Sequence, residues 1–103
     1  MLPTHRVATH PGEILKRVFL EEMTISQVAF AKHTGMSLQR LNEIVNGKRG
    51  VTAETAWLLA GALGTTPEFW MNLQIAHDLT KVRPAKKLRP IARSAAPEVP
   101  PSR

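Results

Sequence analysis

FAKHTGMSLQRLNEI, residues 30–44, decides how this chain is read. Gly35 stands where one helix can stop and the next begin, because a glycine adopts the left-handed conformation at no steric cost. Four positions before it, Ala31 is small enough for two helices to cross closely. Six and nine positions after it, Leu41 and Ile44 are spaced to pin a second helix to a core. Ser37 is placed to cap that second helix. A small residue, a glycine turn, a serine cap and two apolar anchors in this register predict a helix-turn-helix. Thr34 is the one departure, a polar residue where an apolar one would pack better.

Outward from this unit, the first 80 residues divide into five short helices. Pro11 suits the first position of helix one, with Glu13 in its first turn facing the positive end of the dipole. Ile14, Leu15, Val18 and Phe19 then recur at helical spacing. Ser26 caps helix two, which turns Phe30 and Ala31 inward. Ser37 caps helix three, with Leu41, Ile44 and Val45 inward and Gly47 at its end. Thr52 caps helix four, striped by Ala56, Leu59, Ala60 and Leu63 and closed by Gly64. Thr66, Pro67 and Glu68 open helix five, which carries Phe69, Trp70 and Leu73. Only Val7-Ala8-Thr9 has any strand character. The expected class is all-α.

Charge separates these 80 residues from the C-terminal remainder. The chain has a net charge of +6, but residues 1–80 hold seven Lys/Arg and seven acids. Residues 81–103 hold seven basic residues against Glu98 alone, together with five of the eight prolines. We therefore expect a helical domain over 1–80 and a basic, proline-rich, flexible tail over 81–103. Basicity of the whole chain says nothing about the folded part, so any nucleic-acid role there must rest on its motif. There is no cysteine, and the longest apolar run, AWLLAGAL (Ala56 to Leu63), is far short of a bilayer span. The start, MLPTHRVATHPG, has no signal-peptide core. A cytoplasmic protein without membrane contact is expected. Four serines, two of them caps, and a single aspartate offer no catalytic constellation, so no enzyme and no cofactor are expected. His5 and His10 lack the neighbours of a metal site and read as exposed bystanders, as do His33 and His77.

In a helix-turn-helix the second helix enters the major groove with its first residues against base edges. Gln39 can pair with adenine in two hydrogen bonds, Arg40 can reach guanine or a phosphate, and Leu38 can touch a thymine methyl. Asn42 and Glu43 stand one turn on, Glu43 either accepting from a cytosine amino group or repelling wrong partners. Gln27 and Ser37, each at a helix start, are placed to bond phosphates, and Lys48 and Arg49 come next as phosphate clamps.

HPGEIL (His10 to Leu15), the helix-turn-helix, and GTTPEFWMNLQ (Gly64 to Gln74) together resemble the HigA family of antitoxins, within the Xre/Cro-like (lambda-repressor-like) repressors. The resemblance covers roughly residues 9–80. It implies a homodimer that binds an inverted repeat in double-stranded operator DNA, represses its own operon and neutralises a RelE/HigB-like ribonuclease toxin. A stand-alone repressor of the same type is the alternative. Trp57, Leu58, Trp70 and Leu73 are the expected dimer contacts, although Trp70 serves equally well to close the monomer's own core. Leu58 and Gly61 are apolar where relatives are polar, and with Trp57 they form a patch suited to a dimer, to a toxin or to local packing. Glu13, Glu21 and Glu22 are the acids available to a basic toxin; an ordinary solvated helix face is the plainer reading of each.

Overall fold

The computed structural model describes residues 6–92, and among them every regular element is a helix. Helix α1 (11–23) begins at Pro11, just inside a cap formed by His10, whose Nδ1 accepts from Gly12 N at 2.8 Å. Between Leu15 and Leu20 this helix widens into a π-helix. The wider turn returns Leu20, five residues after Leu15, to the same buried face, and it turns Val18 out to 51 % exposure. The helical spacing that groups Val18 with Ile14, Leu15 and Phe19 fails for this reason: a 3.6-residue period does not hold through the span. Thr24 ends the helix in the left-handed conformation.

Helices α2 (Gln27–Thr34), α3 (Leu38–Val45), α4 (Ala53–Leu63) and α5 (Pro67–Lys81) complete the domain. Their caps are the hydroxyls the sequence predicts. Ser26, Ser37, Thr52 and Thr66 each accept from the backbone N–H three residues on, at 3.1, 3.1, 3.4 and 3.2 Å. Each such cap is worth about 1 kcal/mol.

Leu15, Leu41, Ile44, Leu59 and Trp70 are fully enclosed. Each large apolar side chain so buried contributes about 1.5–3 kcal/mol. Trp70 packs against Phe19 and Phe69, with ring centroids 5.4 and 5.0 Å away, and its indole N–H donates to Thr65 Oγ1 at 2.7 Å. α1 crosses α3 so closely that a Cβ on Gly12 would stand 1.7 Å from the Ile44 carbonyl oxygen. His10-Pro11-Gly12 is thus a cap, a helix opener and a crossing point in succession. Gln74 is buried, its Oε1 accepting from Val51 N at 2.7 Å and its Nε2 donating to Asp78 Oδ1 at 2.9 Å.

Val7-Ala8-Thr9 forms no strand. Ala8 is strapped to α5 by side chains instead: its N–H donates to Thr80 Oγ1 at 2.7 Å and its carbonyl meets His77 Nδ1 at 2.8 Å. Both backbone groups are satisfied without a partner strand. His10 and His77 are therefore not exposed bystanders; they are half-buried and pack edge to face with centroids 4.8 Å apart. His33 is exposed, and His5 lies outside the described residues. After Lys81, residues 82–92 form no helix or strand and lie exposed; the rest of the expected tail, 93–103, is outside the described residues. No described helix is long and apolar enough to cross a membrane.

Candidate nucleic-acid interface

The helix-turn-helix spans α2 and α3. Gly35 ends α2 at φ 81°, and Thr34, the one misfit in the sequence pattern, serves the turn. Its hydroxyl bonds the Phe30 and Ala31 carbonyls at 3.0 and 3.2 Å, and its oxygen accepts from Met36 N at 3.3 Å. A side chain that would weaken an apolar contact here ties three backbone groups around a sharp bend.

α3 is strongly two-sided. Leu41, Ile44 and Val45 are buried, while Leu38, Gln39 and Asn42 lie exposed on the other side. Gln27, the first residue of α2, stands next to this face: Asn42 Nδ2 donates to Gln27 Oε1 at 3.4 Å, and Asn46 Nδ2 donates to Asn42 Oδ1 at 3.2 Å. Three amides thus form one chain along the outer edge of the motif. Asn46 stands four positions after Asn42, a spacing that by itself brings two side chains of one helix within reach.

The remaining polar residues are braced. Glu43 Oε1 accepts from Arg49 Nε and Nη2 at 2.8 and 2.7 Å, which folds the loop after α3 back onto the helix. The backbone N–H groups of Lys48 and Arg49 donate to the Glu43 carbonyl at 2.8 and 3.2 Å. Glu43 is therefore already occupied, and Lys48 projects from a loop whose path is fixed. Arg40 turns toward α4, where its guanidinium donates to Glu54 Oε1 at 3.2 Å and to Thr55 Oγ1. A base contact by Arg40 requires it to leave both partners. No spacing in the sequence pointed to Glu54, 14 residues away.

The other expected contacts are scattered. Trp57 is 68 % exposed and Leu58 and Leu73 are half-buried, but Trp70 has no exposed surface and so cannot itself meet a second copy. Its alternative reading, closing the monomer's core, describes where it sits. Glu13 pairs with Arg17 at 3.8 Å across one exposed helix turn. Glu21 and Glu22 are exposed at the end of α1.

A helix-turn-helix family model matches residues 15–70. The antitoxin HigA-1 of Vibrio cholerae is 45% identical over 84 residues, covering 81% of this chain and 78% of the relative. An HTH-type transcriptional regulator of Haemophilus influenzae is 36% identical over 84 residues, covering 82% of this chain and 78% of the relative. Among solved structures, the Pseudomonas aeruginosa antitoxin HigA with the higBA promoter superposes with a TM-score of 0.70 at 40% identity, covering 72% of this chain and 80% of that one. These relatives are regulators and antitoxins rather than enzymes.

Proposed function

The chain belongs to the Xre/Cro-like helix-turn-helix proteins and, among them, to the HigA-type antitoxins, and from that premise we propose that it binds its own operator as a homodimer and neutralises a RelE/HigB-like ribonuclease. The observation that carries the DNA half is the outward face of α3. Leu38, Gln39 and Asn42 lie exposed there, backed by a fully buried face and aligned with Gln27. In a symmetric dimer two such helices read an inverted repeat from major grooves about 34–36 Å apart. Ser37 and Lys48 bond backbone phosphates, and Arg49 does so from its seat on Glu43. Trp57, with Leu58 and Leu73, supplies the dimer surface; Trp57, Met71 and Asn72 line one recess of about 250 Å³ between α4 and α5.

Charge assigns the toxin to the folded domain. A ribonuclease that binds RNA presents a basic surface, which repels a tail carrying the chain's whole net positive charge and attracts Glu13, Glu21 and Glu22. Glu21 also lines a cleft of about 500 Å³ together with Gln27. A toxin seated on Glu21 therefore crowds a phosphate contact and lowers operator affinity. Co-expression with the toxin tests this reading. Reversing the charge of Glu21 and Glu22 should weaken rescue more than deleting residues 81–103 does, and the opposite order would refute it. The second reading, a repressor without a toxin, is favoured by the Haemophilus influenzae relative described as a transcriptional regulator. Co-purification with the product of the neighbouring reading frame separates the two.

A further inference from the structure

A polar recess of about 260 Å³ lies beyond the end of the recognition helix, where three parts of the chain meet. The loop after α3 supplies Lys48 and Arg49, the segment before α1 supplies His10, and the last turns of α5 supply His77, Asp78 and Lys81. Three cations thus face one carboxylate. Asp78 Oδ1 accepts from Gln74 Nε2 at 2.9 Å, which orients the carboxylate and leaves its charge in place. Arg49 is paired with Glu43 at 2.7 Å and brings no net charge of its own. Lys48 and Lys81 against the single carboxylate of Asp78 therefore leave an excess of positive charge along the recess. Such a concentration of positive charge lowers the free energy of an anion placed between the cations.

The imidazoles add direction. His10 Nδ1 accepts from Gly12 N, so in its neutral form the ring carries its proton on Nε2 and has that N–H left to donate. His77 faces the Ala8 carbonyl through Nδ1, which must therefore be the protonated nitrogen. Gly47 and Gly50 also line the recess. A Cβ on Gly47 would lie 3.8 Å from the His10 ring, and one on Gly50 would lie 3.2 Å from the Gln74 amide. A side chain at Gly50 would press on Gln74, and one at Gly47 would face the His10 ring.

We propose that this recess is a phosphate-binding site, with Lys48 and Lys81 as its charged ligands and the His10 N–H as a neutral donor. The phosphate is a backbone group of the operator flanking the bases under α3, because the recess opens from the loop that Glu43 fastens to that helix. This assignment of source rests on the operator-binding role proposed above; the phosphate chemistry does not. Free inorganic phosphate is the other source.

Two arms test it with the full chain. In the first, inorganic phosphate is titrated while the ring signals of His10 and His77 are followed by NMR. In the second, operator duplexes carrying a single uncharged methylphosphonate linkage at successive positions are bound by the wild type and by Lys81→Ala. We expect one linkage per half-site to weaken the wild type several-fold and to leave Lys81→Ala unchanged. The same variant should reduce the slope of log affinity against log salt by about 0.9. Coupling at one linkage confirms a DNA phosphate. Saturable shifts of both rings by inorganic phosphate, abolished in Lys81→Ala and without coupling on DNA, keep the site and change its source. No coupling at any linkage, together with no saturable shift, overturns the site. If the protein binds no operator at all, the first arm alone still decides between site and no site.

Discussion

α3 and α4 bury the same kind of anchor and show solvent opposite chemistries. Inward, Leu41 and Ile44 on one match Ala56 and Leu59 on the other, all fully enclosed. Outward, α3 presents Gln39 and Asn42, whereas α4 presents Trp57 and Gly61 beside half-buried Leu58 and Ala62. Water satisfies a polar face without help, so polarity alone implies no partner. Geometry does: Gln27, Asn42 and Asn46 are held in line by hydrogen bonds of 3.4 and 3.2 Å, which suits a ligand with donors and acceptors at fixed positions. An exposed indole has no such directional requirement. It gains by covering area, and a second protein surface provides that. Equivalent packing inside leaves the two helices free to specialise outside.

The largest expected effects concern what the helices share. Leu41→Ala and Leu59→Ala should each destabilise the fold by about 2–5 kcal/mol, measured by denaturant unfolding. Near-equal costs would uphold the inner equivalence. If Leu41→Ala proved harmless while Leu59→Ala unfolded the chain, α3 would not be seated as described, and its outer face could not be rigid.

Those inner anchors were legible in the sequence because periodicity reports burial, and the caps were legible because serine and threonine at helix starts have few other uses. The strand character of Val7-Ala8-Thr9 misled, since the bonds that hold Ala8 come from His77 and Thr80 some 70 residues away. Val18 misled because the π-helix shifts the register within one element. At the candidate interface, exposure of Leu38, Gln39 and Asn42 followed from the spacing of Leu41 and Ile44. The bracing of Arg40 by Glu54 did not, because nothing local distinguishes a braced arginine from a free one. Trp70 could not be placed by pattern, as an apolar residue at helical spacing fits a monomer core or an interface alike; full burial puts it in the core.

The outer faces should separate cleanly. Gln39→Ala is expected to cost about 1–3 kcal/mol on the operator, to cost little on random DNA, and to leave self-association intact. Trp57→Ser should weaken the dimer by about 2 kcal/mol, as loss of an exposed aromatic anchor does. Sedimentation and binding titrations on the two variants read both effects. Equal losses on operator and random DNA for Gln39→Ala would make it a backbone contact. Unchanged self-association in Trp57→Ser would move the dimer surface elsewhere.

The smallest effect distinguishes how the two helices are supported from behind. α4 begins at a threonine cap that does not titrate in the physiological range, whereas α1, which crosses α3 at Gly12 and Ile44, begins at the His10 cap. Burial, and then the neighbouring His77, push His10 below its ordinary value of 6.5; Lys81 adds to this and Asp78 opposes it. A protonated Nδ1 cannot accept from Gly12 N, so the folded state resists the proton that the unfolded chain takes up near pH 6.5. The unfolded state then binds more protons, and stability rises with pH. Its contribution is complete above about pH 6.5 and is lost as pH falls toward the lowered folded value. Hydrogen exchange between pH 7 and 5 should show amides of α1 and of α3 near Ile44 losing protection before those of α4. His10→Asn keeps an acceptor at the cap and removes the titration, so it should flatten that difference. Identical pH profiles for the wild type and His10→Asn would show that the crossing of α1 on α3 does not depend on the cap, and that the two helices are backed alike.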